Sequence, residues 1–174
     1  MKNKIAVIYK SKYGSSKRYA GWIALRLDAD LYEINDIRGK DLETYNTIIY
    51  GGGIYVGKIN GIKFINKNYE RIKDKKLIVF TVGLDSKEDN FKKLIENNFN
   101  KEQLENIKFF NFKGAFDYSK LNLIDKFLMK GLKSSIDRKS IRDLTDDDKI
   151  VLEGFEKEID LCDKKSIISL VENI

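Results

Sequence analysis

Serine hydroxyls and a glycine directly after the first apolar run of the chain have the composition of an anion-binding turn. The run from Ile5 to Tyr9 predicts a strand, and a helical pattern begins soon after it. The turn between them consists of Ser11, Lys12, Tyr13, Gly14, Ser15 and Ser16. The first N–H groups of a helix lack partners within the helix and lie at the positive end of its dipole. The turn therefore predicts a phosphate-binding site, with the serine hydroxyls as additional donors.

The spacing within this turn limits the kind of phosphate. It matches neither the GxxxxGK[ST] pattern of triphosphate-binding loops nor the GxGxxG pattern of dinucleotide-binding turns. A monophosphate ligand fits the turn better. A second interpretation remains open at this level: the serines serve only to cap the helix, as they do in many strand-to-helix turns.

Two further loops have compositions that suit a planar ligand. Residues 51–61 contain five glycines around Tyr55, and residues 81–86 read Thr-Val-Gly-Leu-Asp-Ser. Glycine lets backbone amides and carbonyls come close to a ligand, and Tyr55 offers an aromatic face for stacking. The alternative is that both segments are flexible turns without a ligand.

The composition excludes several kinds of chemistry. The chain has no histidine, which excludes Ser-His-Asp and Cys-His catalysis and every metal site that needs histidine; we predict no metal site. Cys162 is the single cysteine, so no internal disulfide can form, which agrees with a reducing compartment. Any acid–base chemistry must come from Asp, Glu, Lys, Tyr or a cofactor.

Length and charge indicate a globular protein without a membrane span. The 174 residues are most simply one domain, and no run reaches the ~18 apolar residues of a spanning helix. Residues 1–4 lead directly into a strand rather than into a signal peptide, so we expect a cytoplasmic protein. The net charge is +6, with a basic segment at 113–142 followed by an acidic one at 143–163. No nucleic-acid-binding motif accompanies the basic segment, and no nucleic acid partner is expected.

Apolar runs separated by helical patterns predict an α/β protein. The predicted strands are Ile5 to Tyr9, Leu31 to Ile34, Thr47 to Tyr50, Leu77 to Thr81 and Ile107 to Phe112. Their alternation with helices favours a doubly wound, five-stranded parallel sheet in the flavodoxin-like order 2-1-3-4-5. In such a sheet the loops after strands one, three and four meet at the carboxyl edge, where the strand order reverses. These are the three loops described above.

The last helix is expected to begin at Thr145. Thr145 and Asp148 together resemble a capping box, with Asp in place of the usual Glu. Its buried stripe would consist of Leu152, Phe155, Ile159 and Cys162. Between the fifth strand and this helix, about residues 113–144 form an insertion or extended connection. Leu121, Ile124, Leu128 and Leu132 repeat there with helical spacing among lysines, which predicts an amphipathic helix. Such a helix covers the ligand, docks a partner or lies on an anionic membrane; alternatively, it only extends the core.

Taken together, these segments resemble the flavodoxin superfamily over nearly the whole chain. Within it, the pattern is most similar to the flavodoxin-type, menaquinone-dependent protoporphyrinogen oxidases. That likeness lies in residues 53–57, in residues 80–84, and in residues 114–120 with the helical pattern that follows them.

The resemblance implies non-covalently bound FMN, which would perform the redox chemistry, so no side chain is assigned a catalytic role. By likeness, the phosphate lies in the turn from Ser11 to Ser16. The isoalloxazine ring is flanked by Gly52, Gly53, Ile54, Tyr55, Val56 and Gly57. Its opposite face and pyrimidine edge meet Thr81, Val82, Gly83, Leu84 and Asp85.

Three functions follow from the resemblance. The first is an oxidoreductase that oxidises a tetrapyrrole substrate such as protoporphyrinogen and reduces a quinone. To this the amphipathic pattern described above adds peripheral contact to the inner face of the membrane through residues 120–133. The second is an electron carrier that serves a redox partner protein. The third is an interaction module with the same fold and no cofactor. A phosphoryl-accepting receiver domain is not indicated, because Lys10 and Ser11 stand where it needs a carboxylate.

Overall fold

The computed structural model describes residues 4–174 and is built on a parallel sheet. Its five main strands are β1 (Ile5–Lys10), β2 (Asp30–Glu33), β3 (Thr47–Tyr55), β5 (Lys76–Gly83) and β6 (Ile107–Lys113). They lie in the order β2-β1-β3-β5-β6, all parallel, which confirms the predicted order 2-1-3-4-5. A short strand β4 (Lys58–Ile59) pairs antiparallel with the end of β3. The fourth and fifth strands of the prediction are therefore β5 and β6 of the structure. Residues 1–3, part of the segment on which the prediction of no signal peptide rests, lie outside the described residues.

The central strands are buried on both faces because helices cover each side. Ile8 faces one apolar cluster and Val7 faces the other, so neighbours along β1 point to opposite faces of the sheet. This explains why the strands read as continuous apolar runs rather than as alternating ones. Within the described chain, no helix is long and apolar enough to cross a membrane.

The helices divide between the two faces. One face is covered by α1 (Ser15–Leu27) and the C-terminal α7 (Ile168–Val171), which contribute residues such as Ile23 and Leu170 to the same cluster. The other is covered by α2 (Lys63–Ile72), α3 (Glu88–Asn98) and α4 (Lys101–Asn106). Short 3-10 turns occur at Gly39–Thr44, Tyr118–Lys120, Ile141–Asp143 and Lys164–Ile167.

The third strand is longer than the sequence predicts. We expected it to end at Tyr50 with a glycine loop beyond, yet the strand continues to Tyr55. Gly51 pairs with Tyr9 on one side and Phe80 on the other, and a Cβ on Gly51 would lie 1.9 Å from Cζ of Phe80. The missing side chain of Gly51 makes room for the buried ring of Phe80 on the neighbouring strand. Gly51 is therefore part of a strand and not of a flexible loop.

The chain after β6 departs most from expectation. Two short strands, β7 (Ala115–Phe116) and β8 (Ile159–Asp160), pair antiparallel, and two helices lie between them: α5 (Leu123–Asp137) and α6 (Asp146–Glu153). The predicted amphipathic helix is thus present as α5. The capping of α6 by Thr145 with Asp148 is also confirmed.

The predicted buried stripe through Leu152, Phe155, Ile159 and Cys162 is wrong. Helix α6 ends at Glu153, and the backbone N–H of Tyr118 donates to the carbonyl of Gly154. The ring of Phe155 then stacks on Tyr118, with centroids 4.4 Å apart, instead of continuing the helix. Ile159 lies in β8, and Cys162 lies beyond it, half-buried, where burial raises the pKa of its thiol.

Candidate functional site

A cavity of about 570 Å³ opens at the carboxyl edge of the sheet, within the range typical of small-molecule sites. The turn after β1, together with the carboxyl ends of β3 and β5 and the residues that follow them, lines one side of it. We call this side the loop rim and define it as residues 11–16, 53–56 and 82–85. The opposite side is lined by residues from the segment 114–158, which we call the outer wall.

The turn at the start of α1 is formed by backbone geometry rather than by a side-chain cap. Gly14 takes the left-handed conformation with φ 97°, and its N–H donates to Oγ of Ser11 at 3.0 Å. The helix begins at Ser15 without a side-chain hydrogen bond at its N-cap and without an acidic residue in its first turn. Ser11 thus accepts from the N-cap residue, whereas Ser15 accepts from Ala115 and not from an N–H of its own helix. Capping therefore does not account for all three serines, and this helix end remains suited to an anion.

Ser15 and Ser16 are buried at this turn and face the cavity. Oγ of Ser15 accepts a hydrogen bond from the backbone N–H of Ala115 at 3.1 Å. The Ser15 hydroxyl also hydrogen-bonds the side chain of Cys162, which partly offsets the effect of burial on the pKa of that thiol. The bond from Ala115 links the loop rim to the first strand of the outer wall.

Two tyrosines and a lysine form the polar side of the loop rim. The rings of Tyr13 and Tyr55 lie 6.4 Å apart, tilted by 53°, and both line the cavity. Nζ of Lys12 lies 5.5 Å from the centroid of the Tyr13 ring and 5.3 Å from that of Tyr55. Burial raises the pKa of the Tyr55 hydroxyl, so the ring is neutral at physiological pH.

The turn beside Tyr55 is a tight hairpin. Val56 and Gly57 connect β3 to β4 and have φ values of 48° and 70°, the positive values that a two-residue type I′ turn requires. A β-branched residue at positive φ is strained. The buried side chain of Asn98 holds the turn, because its Nδ2 donates to the carbonyl of Gly57 at 3.0 Å.

The outer wall combines apolar side chains with charged ones such as Asp117, Lys139 and Asp147. Phe116, Leu128, Met129, Leu132, Ile136 and Val151 line the cavity from β7, α5 and α6. Sequence analysis did not assign these residues to the site, although the expectation that the amphipathic helix covers the ligand pointed to α5. The spacing of Leu128 and Leu132 was the available signal.

Asp125 attaches α5 to the loop rim. The hydroxyl of Tyr13 donates to Oδ2 of Asp125, and Nζ of Lys12 lies 2.5 Å from the same oxygen. Asp125 is itself buried. Burial alone would raise the pKa of its carboxyl, but the hydrogen bonds from Lys12 and Tyr13 outweigh this and lower the pKa. Asp125 is therefore ionised in this contact, which we call the Asp125 anchor.

Two further ion pairs hold the base of the outer wall. Nζ of Lys113 lies 2.6 Å from Oδ1 of Asp147, whose carboxylate also accepts from the backbone N–H of Ser86 at 2.9 Å. Nζ of Lys139 lies 2.8 Å from Oδ2 of Asp148. The hydrogen bond from Lys139, together with the backbone N–H of Thr145, lowers the pKa of Asp148 to about 2.

The structure brings most of the predicted binding residues to the cavity surface. Those that line it are Ser11, Tyr13, Ser15, Ser16, Gly53, Ile54, Tyr55, Val56, Val82, Gly83, Leu84 and Asp85. Those that do not line it are Lys12, Gly14, Gly52, Gly57 and Thr81. Thr81 lies inside β5, where its hydroxyl is 2.7 Å from Oδ1 of Asn111, and the ammonium group of Lys12 is paired with Asp125.

Comparisons with known proteins agree with this architecture. The Flavodoxin domain family model matches residues 6–143. An uncharacterized protein of Methanocaldococcus jannaschii is 30% identical over 118 residues, covering 66% of this chain and 78% of that protein.

Solved structures of similar fold were also found. Flavodoxin 2 of Bacillus cereus is 21% identical with a TM-score of 0.47, covering 63% of this chain and 84% of that one. The Trp repressor binding protein of Bacillus subtilis is 20% identical with a TM-score of 0.48, covering 64% and 83%. On the match of the family model to most of its length, the chain belongs to the flavodoxin domain family.

Proposed function

We propose that this protein binds FMN non-covalently in the cavity at the carboxyl edge and acts as a redox protein. The observation that carries the proposal is that three loops from separate parts of the chain line one cavity. One of these loops presents a helix N-terminus, and another presents an aromatic ring. A phosphate and a planar ring system need these two features side by side.

The chemistry of the residues fits such a group. The start of α1 has no acidic residue in its first turn, and Ser11 and Ser16 offer hydroxyl donors, so the FMN phosphate would be held there. Tyr55 and the backbone of residues 53–56 would contact one side of the ring, and residues 82–85 the other. When bound, FMN supplies electron or hydride transfer, which none of these side chains can perform.

A titration of the purified protein with FMN tests the proposal. We expect binding that Tyr55→Phe preserves and that Tyr55→Ala weakens by about tenfold, because stacking on an aromatic ring is worth roughly 1–3 kcal/mol. Quenching of flavin fluorescence measures the affinity, and a redox titration of the complex measures its potential. If Tyr55→Ala changes neither value, Tyr55 does not contact the ring. If the wild type takes up no FMN, the chain is an interaction module instead.

The shape of the cavity favours an enzyme over a simple carrier. Beyond the loop rim, the cavity continues along the apolar side chains of Leu128, Leu132 and Val151, which offer a surface for a largely apolar substrate. On the sequence resemblance in residues 53–57, 80–84 and 114–120, we propose an oxidoreductase of the protoporphyrinogen oxidase type. In each step a reduced tetrapyrrole would give up two electrons and two protons, and a menaquinone would take up both as it becomes a quinol.

The alternative is an electron carrier for a redox partner protein, favoured by the exposed Val56 at the cavity rim, where a partner could approach closely. Turnover separates the two functions. The FMN-loaded protein is mixed with protoporphyrinogen and a menaquinone analogue, and porphyrin formation is followed by fluorescence. Porphyrin formation that depends on both protein and quinone supports the enzyme. Absence of turnover in a protein that binds FMN and undergoes reversible reduction supports the carrier.

A further inference from the structure

The outer surface of α5 exposes large apolar side chains. Leu123 is 85% exposed, Ile124 72% and Phe127 77%, all within the first five residues of the helix. The exposure contradicts the interpretation that this helix only extends the core, because within α5 the buried residues are Asp125 and Ile136 alone. Isolated apolar residues on a surface are ordinary, but three adjacent large ones mark a contact site.

The exposed residues are continuous with the wall of the cavity. Successive helix positions are about 100° apart, which places Leu123, Phe127, Ile124, Leu128 and Leu132 in this order around about half of the circumference. Leu128 and Leu132 are partly exposed and also line the cavity. The apolar arc therefore extends from the outer surface of α5 to the edge of the cavity.

Basic residues lie beside the apolar arc. By the same geometry, Lys133, Lys126 and Lys130 form a neighbouring strip that ends next to Leu123. Residues 120–142 contain seven basic and two acidic residues. The carboxylate of Asp125 accepts from Tyr13 and pairs with Lys12, and the carboxylate of Asp137 pairs with Lys133. Among the basic residues, Lys120 and Lys139 also pair with acidic side chains outside this segment. The positive charge beside the exposed arc is therefore carried mainly by Lys126 and Lys130.

We propose that α5 lies on the surface of an anionic lipid bilayer, with Leu123, Ile124 and Phe127 inserted between the headgroups. An apolar arc flanked by lysines is the pattern of helices that lie in the membrane interface. The lysine stems can rest on the apolar layer while their ammonium groups reach lipid phosphates. In this orientation, Leu128 and Leu132 bring the edge of the cavity to the lipid surface.

An acidic protein surface would match the charge but not the shape of this region. The three most exposed side chains project from a single helix, and a protein partner would need a matching groove to bury them. A bilayer accommodates them without preformed pockets. The docking surface is independent of the proposed cofactor, since none of its three inserted residues lines the cavity.

Vesicle co-sedimentation tests the proposal on the full chain. We expect binding to phosphatidylglycerol-rich vesicles and much weaker binding to phosphatidylcholine vesicles. The triple variant Leu123→Ser, Ile124→Ser, Phe127→Ser should lose about tenfold or more of the partition coefficient. Leu25→Ser is the matched control, because Leu25 on α1 is 78% exposed and lies outside the arc. A loss of the same size in the control would overturn the proposal.

Charge variants provide a second test that leaves the apolar arc intact. Lys126→Gln with Lys130→Gln should weaken binding by about fivefold per lysine, and added salt should reduce the difference. Lys63→Gln with Lys67→Gln on α2 removes the same charge from another surface and should have little effect. Failure of the wild type to bind anionic vesicles overturns the proposal. Self-association without lipid, abolished by the triple variant, would instead assign the arc to a second copy of the chain.

Discussion

The two sides of the cavity are held by different forces. The loop rim follows strands that are buried on both faces, and its position is fixed by the sheet register and by close packing around residues such as Phe80. The outer wall rests on α5, which buries two residues, and on polar contacts such as the Asp125 anchor and the Lys139–Asp148 pair. The rim is therefore held by apolar packing, whereas the wall combines a few buried apolar residues, such as Ile136 and Val151, with ion pairs.

This difference teaches that the two sides of one cavity can differ in how firmly they are held. In the function proposed above, a rim set by the sheet would keep the spacing of the phosphate and ring contacts constant. A wall attached through a few polar contacts can open locally, because regions with few buried apolar contacts are the first to unfold. The three variants below test this division, in order of decreasing expected effect.

Gly51→Ala tests whether apolar packing fixes the loop rim. The new Cβ would lie 1.9 Å from Cζ of the fully buried Phe80, so the ring must move, and the free energy of unfolding should fall by about 3 kcal/mol. Chemical denaturation measures the change. Gly21→Ala in α1 is the control, because a Cβ there meets nothing within 4 Å and should stabilise the helix by about 1 kcal/mol. Equal stability of the two variants would contradict close packing at Gly51.

Asp125→Ala tests whether the outer wall is attached through charge. Tyr13 and Lys12 lose their shared acceptor, which should cost about 2 kcal/mol. The loss should appear as at least about tenfold faster hydrogen exchange in α5, with the amides of β5 unchanged. Asp137→Ala removes an exposed i,i+4 pair with Lys133 from the same helix and should cost no more than about 0.5 kcal/mol. Uniform loss of protection across the whole protein would show that the wall is not a separate unit.

The smallest expected effect is the loss of stability that protonation of Asp148, at the start of α6, causes at low pH. The hydrogen bond from Lys139 lowers the pKa of Asp148 from 3.8 to about 2 in the folded protein. Its stabilising contribution is therefore complete above pH 3.8 and is lost as the pH falls toward about 2. The difference in Tm between the wild type and Asp148→Asn should shrink over this window. Asp146→Asn, in the same helical turn but exposed, is the control; a similar pH dependence there would point to the helix dipole instead.

Much of the fold could be predicted from short stretches of sequence. The continuous apolar runs of β1, β3 and β5 indicated a parallel sheet covered on both faces, and the strand order followed from the βα alternation. The capping of α6 by Thr145 and Asp148 was also readable, because both partners lie within four residues. Each of these features depends on local contacts or on the general rules of α/β folds.

The errors arose where distant residues decide the structure. The end of β3 was placed too early, because the space that Gly51 leaves for Phe80 depends on the pairing of β3 with β5. The helix predicted through Phe155 and Ile159 fails for a similar reason, since Tyr118 supplies the stacking partner and Phe116 contacts Phe155 from more than thirty positions away.

The sequence by itself determined the five main strands, the sheet order and the three segments that line one side of the cavity, because continuous apolar runs alternate with helical patterns along the chain. Only the tertiary structure decided what closes the cavity: Asp125 joins Tyr13 and Lys12 across more than a hundred positions, and the arc on α5 is left exposed. Contacts between charged side chains far apart in the chain carry no periodic signal. Their pairing is set by the sheet, which brings residues 11–16 and α5 to the same edge.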